Sequence, residues 1–262
     1  MAAIKLTEGV YAVGGTLLSH PNDCATFLVM GEKPVLIDSG SGEGFERMRR
    51  NIEGLGISIA DIACVIGTHG HYDHINGIAR LREQNPGLLL AMHEADAAQI
   101  EDADPDLTCA SWFFGVEIKP LRVDAKLRGG DKFNAGGTEF EIIHVPGHTP
   151  GSIAVVTEIG GKRVLFCGDC YVPGCDRVRS DYDSWQSTLD TLNSLEFDVV
   201  LPGHIMQLAF DPFCAMLAAQ RLSKKASHGI FDFLKSNFSR QIWPISIFNY
   251  EYITPFFAKL SK

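Results

Sequence analysis

The chain has 262 residues, 45% of them hydrophobic, enough for one large domain or two modest ones around a sizeable core. A formal charge of −9 and an isoelectric point near 5.4 argue against a nucleic-acid partner, since holding a phosphate backbone calls for a basic face. No signal-like apolar run precedes Leu6 and no stretch approaches the roughly 20 apolar residues of a membrane span, so a cytoplasmic protein without a membrane partner is expected.

From Leu6 to Asp38, short apolar runs alternate with turns: Gly9–Gly14, Ala25–Val29 and Pro34–Asp38 read as an antiparallel meander. Asp38 closes the last run before Ser39-Gly40, as a turn residue bonding its own backbone or as a support for something beyond the strand. Gly44 to Gly54 carries Phe45, Met48 and Ile52 on one face and predicts a covering helix. Ile62–Ile66 reads as a buried strand, and directly after it comes Thr68-His69-Gly70-His71-Tyr72-Asp73-His74. A helix is expected from Ile75 through Arg82, stopping near Asn85-Pro86-Gly87.

Leu88–Met92 is the next expected strand, ended by His93, which is read as structural. Between Glu94 and Lys119 the chain turns acidic at Glu101–Asp106, a solvated loop, and then aromatic at Trp112-Phe113-Phe114, which reads as core ahead of a substrate-pocket lining. Phe140–Val145 forms a strand leading to Pro146-Gly147-His148; His144, on that strand, is structural. Ile153–Val156 and Arg163–Phe166 pair as a hairpin across Gly160-Gly161, and its second strand leads to Cys167-Gly168-Asp169. Ser184 to Leu195 places Trp185, Leu189 and Leu192 on a core-facing helical stripe, and Asp198–Leu201 is a last strand before Pro202-Gly203-His204.

Beyond Asp211 the texture changes. Pro212–Ala226 reads as a helix, followed by an aromatic-rich segment from Phe231 through Trp243 and Tyr250 to Phe257. The division expected is residues 1–210 as one domain and 211–262 as a C-terminal helical extension packed on it, with a homodimer surface as the other leading use of the aromatics. The seven cysteines are scattered and odd in number, which fits buried thiols better than a disulfide framework; Cys167-Gly168-Asp169-Cys170 lacks the second CxxC of a zinc knuckle.

The chemistry concentrates at the strand ends. His69 and His71, two apart on extended backbone, send their imidazoles to the same side and suit one cation, whereas Asp73 and His74 follow the start of a helical turn and point elsewhere. Two cations roughly 3.5–4 Å apart can share such a cluster, as in two-metal hydrolytic sites. His148, Asp169 and His204 each add one donor beyond an apolar run, making seven in all.

These motifs resemble the metallo-β-lactamase superfamily from about Leu6 to His204. The resemblance implies an α+β fold, a four-layer αββα sandwich, here with the helical, aromatic-rich extension. It implies that His69, His71 and His148 hold a first metal, that Asp73, His74 and His204 hold a second, and that Asp169 bridges them. The cofactors implied are two divalent ions, zinc first, with iron or manganese accepted by the same donors. An Asp at the bridging position points to the broader hydrolase branch rather than to opening of β-lactam rings, and Asp38 falls where the superfamily's strand-ending Asp supports the site. Pro173-Gly174-Cys175-Asp176-Arg177 is similar to the segment after the bridging Asp in glyoxalase II enzymes, with Asp176 where those have Gly and a spacing one shorter; it makes Arg177 a candidate contact to the substrate.

The function implied is metal-dependent hydrolysis of an ester-type bond in a small molecule by a metal-bridging hydroxide that Asp73 orients. A thioester of the acyl-glutathione kind is favoured over a lactone or phosphodiester. Tyr171 lies one position closer to Asp169 than in the superfamily's lactonases. An iron-dependent persulfide dioxygenase is the redox alternative, and a metal-free binding protein is disfavoured because no donor is missing.

Overall fold

The computed structural model describes residues 2–172 and 174–204. The helix expected over residues 212–226, the aromatic segment beyond it, Cys214 and the expected boundary at residue 210 all lie outside the described residues.

Seven strands form the first sheet in sequence order: β1 (Ile4–Thr7), β2 (Val10–Gly14), β3 (Thr26–Val29), β4 (Val35–Ile37), β5 (Cys64–Ile66), β6 (Leu89–His93) and β7 (Ala125–Leu127). The expected meander is β2 to β4, extended by β1 at the edge; from β4 to β7 the pairing turns parallel. The second sheet runs in the order β12 (Val199–Pro202), β11 (Lys162–Gly168), β10 (Ile153–Ile159), β9 (Thr138–His144) and β8 (Lys132–Ala135), antiparallel except for the β11–β12 pair.

Period-two alternation explains why the sheets stack and why both are covered on their outer faces. On β4, Val35 and Ile37 face the second sheet and Leu36 faces the helices. On β11, Val164 and Phe166 meet the same central layer, where Phe166 packs 5.4 Å from Phe27, while Leu165 and Cys167 turn outward. Helices α1 (Phe45–Glu53), α3 (Ile78–Gln84) and α4 (Glu94–Glu101) cover the first sheet, with Met48, Ile52, Leu81 and Ile100 in that layer. Helix α5 (Tyr182–Ser194) covers the second sheet through Trp185, Leu189 and Leu192, the stripe expected from sequence. Helix–sheet–sheet–helix is therefore the observed layering, in agreement with the α+β sandwich.

Three local differences have physical reasons. The helix expected from Ile75 is split into a single turn α2 (Tyr72–Ile75) and α3, because the Gly77 N–H turns to the Gly40 carbonyl at 2.8 Å; a Cβ there would collide with the Ser39 carbonyl. Trp112, Phe113 and Phe114 are not core. They ride on a helical turn, Ala110–Phe114, entered and left by left-handed residues Cys109 and Gly115, and Phe113 is 52% exposed. Finally, the acidic stretch begins inside α4 at Glu101, and its solvated loop is ordered by Asp104, whose carboxylate accepts from the Asp106 and Leu107 N–H groups.

Cys24, Cys64, Cys109, Cys167 and Cys170 are buried free thiols, as expected, and Cys175 is half-buried. Cys170 and Cys167 sit under Trp185, whose indole N–H donates to the Cys170 carbonyl at 3.1 Å, a packing role rather than a redox pair. Among the described residues no helix is long and apolar enough to cross a membrane.

Candidate metal centre

Parallel strands carry their chain ends to one rim, and the carboxyl ends of such strands are where loops are free to converge on a ligand. β5 delivers His69, His71, Asp73 and His74; β11 delivers Asp169; β12, beside it, delivers His204; the turn between β9 and β10 delivers His148. All seven residues singled out as donors meet there, and six of them are buried.

They meet as two clusters. His69 Nε2 lies 3.0 Å from His71 Nδ1, which lies 3.1 Å from His148 Nε2. Three imidazole nitrogens turned toward one point cannot all be satisfied by one another. The edge of a tetrahedron with bonds of 2.0–2.1 Å is about 3.3 Å, so their spacing is close to that of three ligands on one cation. In the second cluster His204 Nε2 stands 3.3 Å from Asp73 Oδ2, and His74 Nε2 stands 3.6 Å from the same oxygen. Asp169 faces both: its carboxylate is 3.8 Å from His148 Nε2, 3.1 Å from His204 Nε2 and 3.6 Å from His74 Nε2. Within each cluster the donor atoms lie within 4.8 Å of one another.

His74 Nε2 and Asp169 Oδ1, which face each other across the second cluster, are buried without a hydrogen-bond partner among the described residues. Such groups are costly unless something else satisfies them. An N···O separation of 3.6 Å is too long for a hydrogen bond and leaves room for an intervening ion. The donor set, imidazole and carboxylate, suits zinc, iron or manganese, so the residues fit the cofactor that the sequence implies.

Three of the five imidazoles, His69, His74 and His148, have their outer nitrogens tied down, which fixes which nitrogen faces inward. His74 Nδ1 donates to Asp38 Oδ2 at 2.8 Å, His148 Nδ1 to the Val172 carbonyl at 3.1 Å, and His69 Nδ1 contacts Thr68 Oγ1 at 3.2 Å. Asp38 also accepts from the Thr68 N–H at 2.7 Å and the Thr68 hydroxyl at 2.9 Å. It holds a left-handed φ of 60° to do so. Sequence reading leaves Asp38 outside the site because a strand-ending Asp before Ser-Gly reads equally well as a turn; its position directly after β4 is the available signal.

The two clusters differ in charge. Burial, then neighbouring imidazoles, push His71 down to about 3 and hold His69 well below the ordinary range; burial also lowers His148. These three are neutral. Burial opposes charge in the second cluster too, but Asp169 and Asp73 raise His204 to about 9, and Cys24 with Asp73, Asp38 and Asp169 raise His74. In turn His204 and His74 hold Asp169 well below the usual carboxylate range against its burial.

Arg177 does not join the cluster. It is exposed on a helical turn, Asp176–Val178, with its guanidinium 3.5 Å from Asp106 and 5.2 Å above the Trp112 ring. It thus links the segment after Asp169 to the aromatic turn, and that turn abuts the metal loop: Phe114 packs 5.0 Å from Tyr72, whose N–H donates to the Thr108 carbonyl. His93 and His144 stack on each other at 4.1 Å, consistent with their reading as structural.

The family model described as the metallo-beta-lactamase superfamily matches residues 21–204. Among curated proteins, hydroxyacylglutathione hydrolase GloC of Haemophilus influenzae is 30% identical over 185 residues, 66% of this chain and 81% of that protein. Acyl-coenzyme A thioesterase MBLAC2 of Bos taurus is 24% identical over 258 residues, 86% of this chain and 85% of that protein. Among solved structures, a metallo-beta-lactamase of Cronobacter sakazakii superposes with a TM-score of 0.76 at 22% identity, covering 92% of this chain and 94% of that one, a likeness of fold.

Proposed function

The chain belongs to the metallo-β-lactamase superfamily and is a metal-dependent hydrolase, and from that premise we propose that it hydrolyses thioesters at a dinuclear centre held by His69, His71 and His148 on one side, Asp73, His74 and His204 on the other, and Asp169 between. The observation that carries the reading is the position of Asp169, a buried carboxylate within 3.8 Å of nitrogens from both clusters. Two relatives whose names give different thiol carriers, glutathione and coenzyme A, share the class of bond.

When bound, two divalent cations supply Lewis acidity toward a carbonyl and lower the pKa of water from about 15.7 toward about 7. The chain's own residues do the rest. His69, His74 and His148 are fixed by their outer nitrogens and keep their inner lone pairs aimed at the centre. Asp73, against His204 and His74, orients the attacking water. Hydrolysis breaks the carbon–sulfur bond, adds the water oxygen to the acyl carbon and releases a carboxylic acid and a thiol. A thiol near pKa 8.5 leaves as thiolate at neutral pH with little help from a general acid, whereas an alkoxide would need one. Imidazoles already committed to holding an ion suit the first case.

Thiol release from an acyl-glutathione, and in parallel from an acyl-coenzyme A, by the metal-loaded protein tests the reading. Release by the wild type and none by His69→Ala is expected; no release from either carrier overturns it and directs the search to lactones, phosphodiesters and oxygen consumption with a persulfide.

Arg177 is the proposed contact to the carrier. Arg177→Ala is expected to raise KM about 5- to 30-fold with kcat nearly unchanged, the pattern of lost binding shared by ground and transition states, on the scale of one charge-assisted hydrogen bond. A fall in kcat at constant KM would remove it from that role.

Loading should also release protons. His204, raised to about 9, carries a proton at pH 7.5 in the metal-free protein, and a ligand must be neutral. About one to two protons, from His204 and His74, should leave when the second cluster fills, and its affinity should fall as pH drops below about 9. Calorimetry in two buffers of different ionisation heat measures this; an absence of proton release at pH 7.5 would contradict it.

A further inference from the structure

α4 carries a buried carboxylate with no role in the chemistry above. Asp96 has no exposed surface, and all three of its hydrogen bonds reach the loops that hold the three-histidine cluster. Its Oδ2 accepts from the Gly70 N–H at 2.8 Å and from the Thr149 hydroxyl at 2.7 Å; its Oδ1 accepts from the Gly151 N–H at 2.7 Å. Gly70 lies between His69 and His71, and Thr149 follows His148. A Cβ on Gly70 would collide with Gln99, one turn along α4, and a Cβ on Gly151 would collide with Asp96 itself, so both loops are pressed onto this helix.

The Gly70 loop follows β5 of the first sheet, whereas Thr149 and Gly151 lie in the turn between β9 and β10 of the second. A backbone tie between them is the Ile153 N–H to the Thr68 carbonyl at 2.8 Å, on the strand side of the ligands. None of its three hydrogen bonds goes to the segments of Asp169 or His204, and Asp73 lies further along the Gly70 loop. Asp38, by contrast, bonds Thr68 and His74. Asp96 thus holds the two loops of the three-histidine cluster, whereas Asp38 bonds a second-cluster imidazole directly and reaches His69 only through Thr68.

We propose that Asp96 is a positioning residue that sets the separation of His148 from the His69–His71 pair and thereby governs cation affinity at that cluster selectively, an inference that rests on the dinuclear reading. It acts through Gly70 and Thr149, not by contact with substrate or ion. Its loss frees two backbone donors and a hydroxyl, and lets the cluster's two loops drift apart while the Asp38 bonds keep the second cluster in place.

The test titrates zinc into metal-free wild type, Asp96→Ala, Asp96→Asn and Thr149→Val, with Co(II) spectra and amide exchange at Gly70 and Gly151 as readouts besides activity. Wild type should take two ions. Asp96→Ala should keep one at wild-type affinity and bind the other about 10- to 100-fold more weakly, the usual scale for an outer partner of a ligand. Thr149→Val should weaken the same ion by less. In a His69→Ala background, Asp96→Ala should change the remaining affinity little. Should Asp96→Ala fail to fold, Asp96→Asn and Thr149→Val carry the comparison. Equal weakening of both ions, or two ions held as tightly as in wild type, overturns the proposal. If wild type itself binds only one ion, the dinuclear reading fails, and the exchange rates decide on Asp96: faster exchange confined to Gly70 and Gly151 supports it and unchanged rates overturn it.

Discussion

Asp169→Ala is expected to lower kcat/KM for thioester hydrolysis by about 10³-fold or more, the scale of losing a preorganised electrostatic element in a site shielded from water. The carboxylate is 7% exposed and is the group that faces nitrogens of both clusters, so its removal takes a donor from each. Metal content should fall from two ions to one at most. The variant also separates chemistry from folding: the three-histidine cluster keeps its own ties through Thr68 and Val172, so a cooperative thermal transition should persist. A variant that holds two ions and retains more than a tenth of the activity would show that Asp169 does not bridge.

Asp38→Ala should be the most damaging change that touches no substrate. It strips partners from the Thr68 N–H, the Thr68 hydroxyl and His74 Nδ1, all buried. Breaking a buried charged pair costs about 3–5 kcal/mol, and Ala at a left-handed φ adds about 1–2 kcal/mol. Metal affinity at the His74 cluster should drop about 10- to 100-fold through the lost orientation of the ring. Asn tolerates the left-handed backbone and can still accept one of the three bonds, so Asp38→Asn should recover part of the stability. Denaturant unfolding of the metal-free proteins measures the first effect and zinc titration the second; a variant within 1 kcal/mol of wild type would contradict the assignment.

The convergence of the candidate donors was legible because each obeys a local rule. His69 and His71 share a side on extended backbone, and His148, Asp169 and His204 each sit just past an apolar run. The sandwich was legible for a similar reason: strands buried on both faces read as unbroken apolar runs, and Trp185, Leu189 and Leu192 kept helical spacing. What stayed hidden depends on partners far away in sequence. Asp96 looks like any acidic residue in a first helical turn until its three donors, at least 26 residues distant, are in place. Trp112 to Phe114 follow the general rule that aromatics are buried, yet a left-handed Cys109 lifts them onto a turn at the rim. The split of α2 from α3 likewise depends on the Gly40 carbonyl, which no helical pattern reveals.

The spread of the donors along the chain sets an order in time. A polypeptide leaves the ribosome at about 5–20 residues per second, so the last donor of the three-histidine cluster, His148, precedes His204 by roughly 3 to 11 s of synthesis. During that interval the nascent chain has every nitrogen of one cluster and lacks the residue that closes the other, and β12, the strand that delivers it, has yet to pair beside β11. On the proposed dinuclear reading, assembly of the centre would be sequential, with the donors for a first ion complete before the fold is and those for a second complete only with the finished sheet.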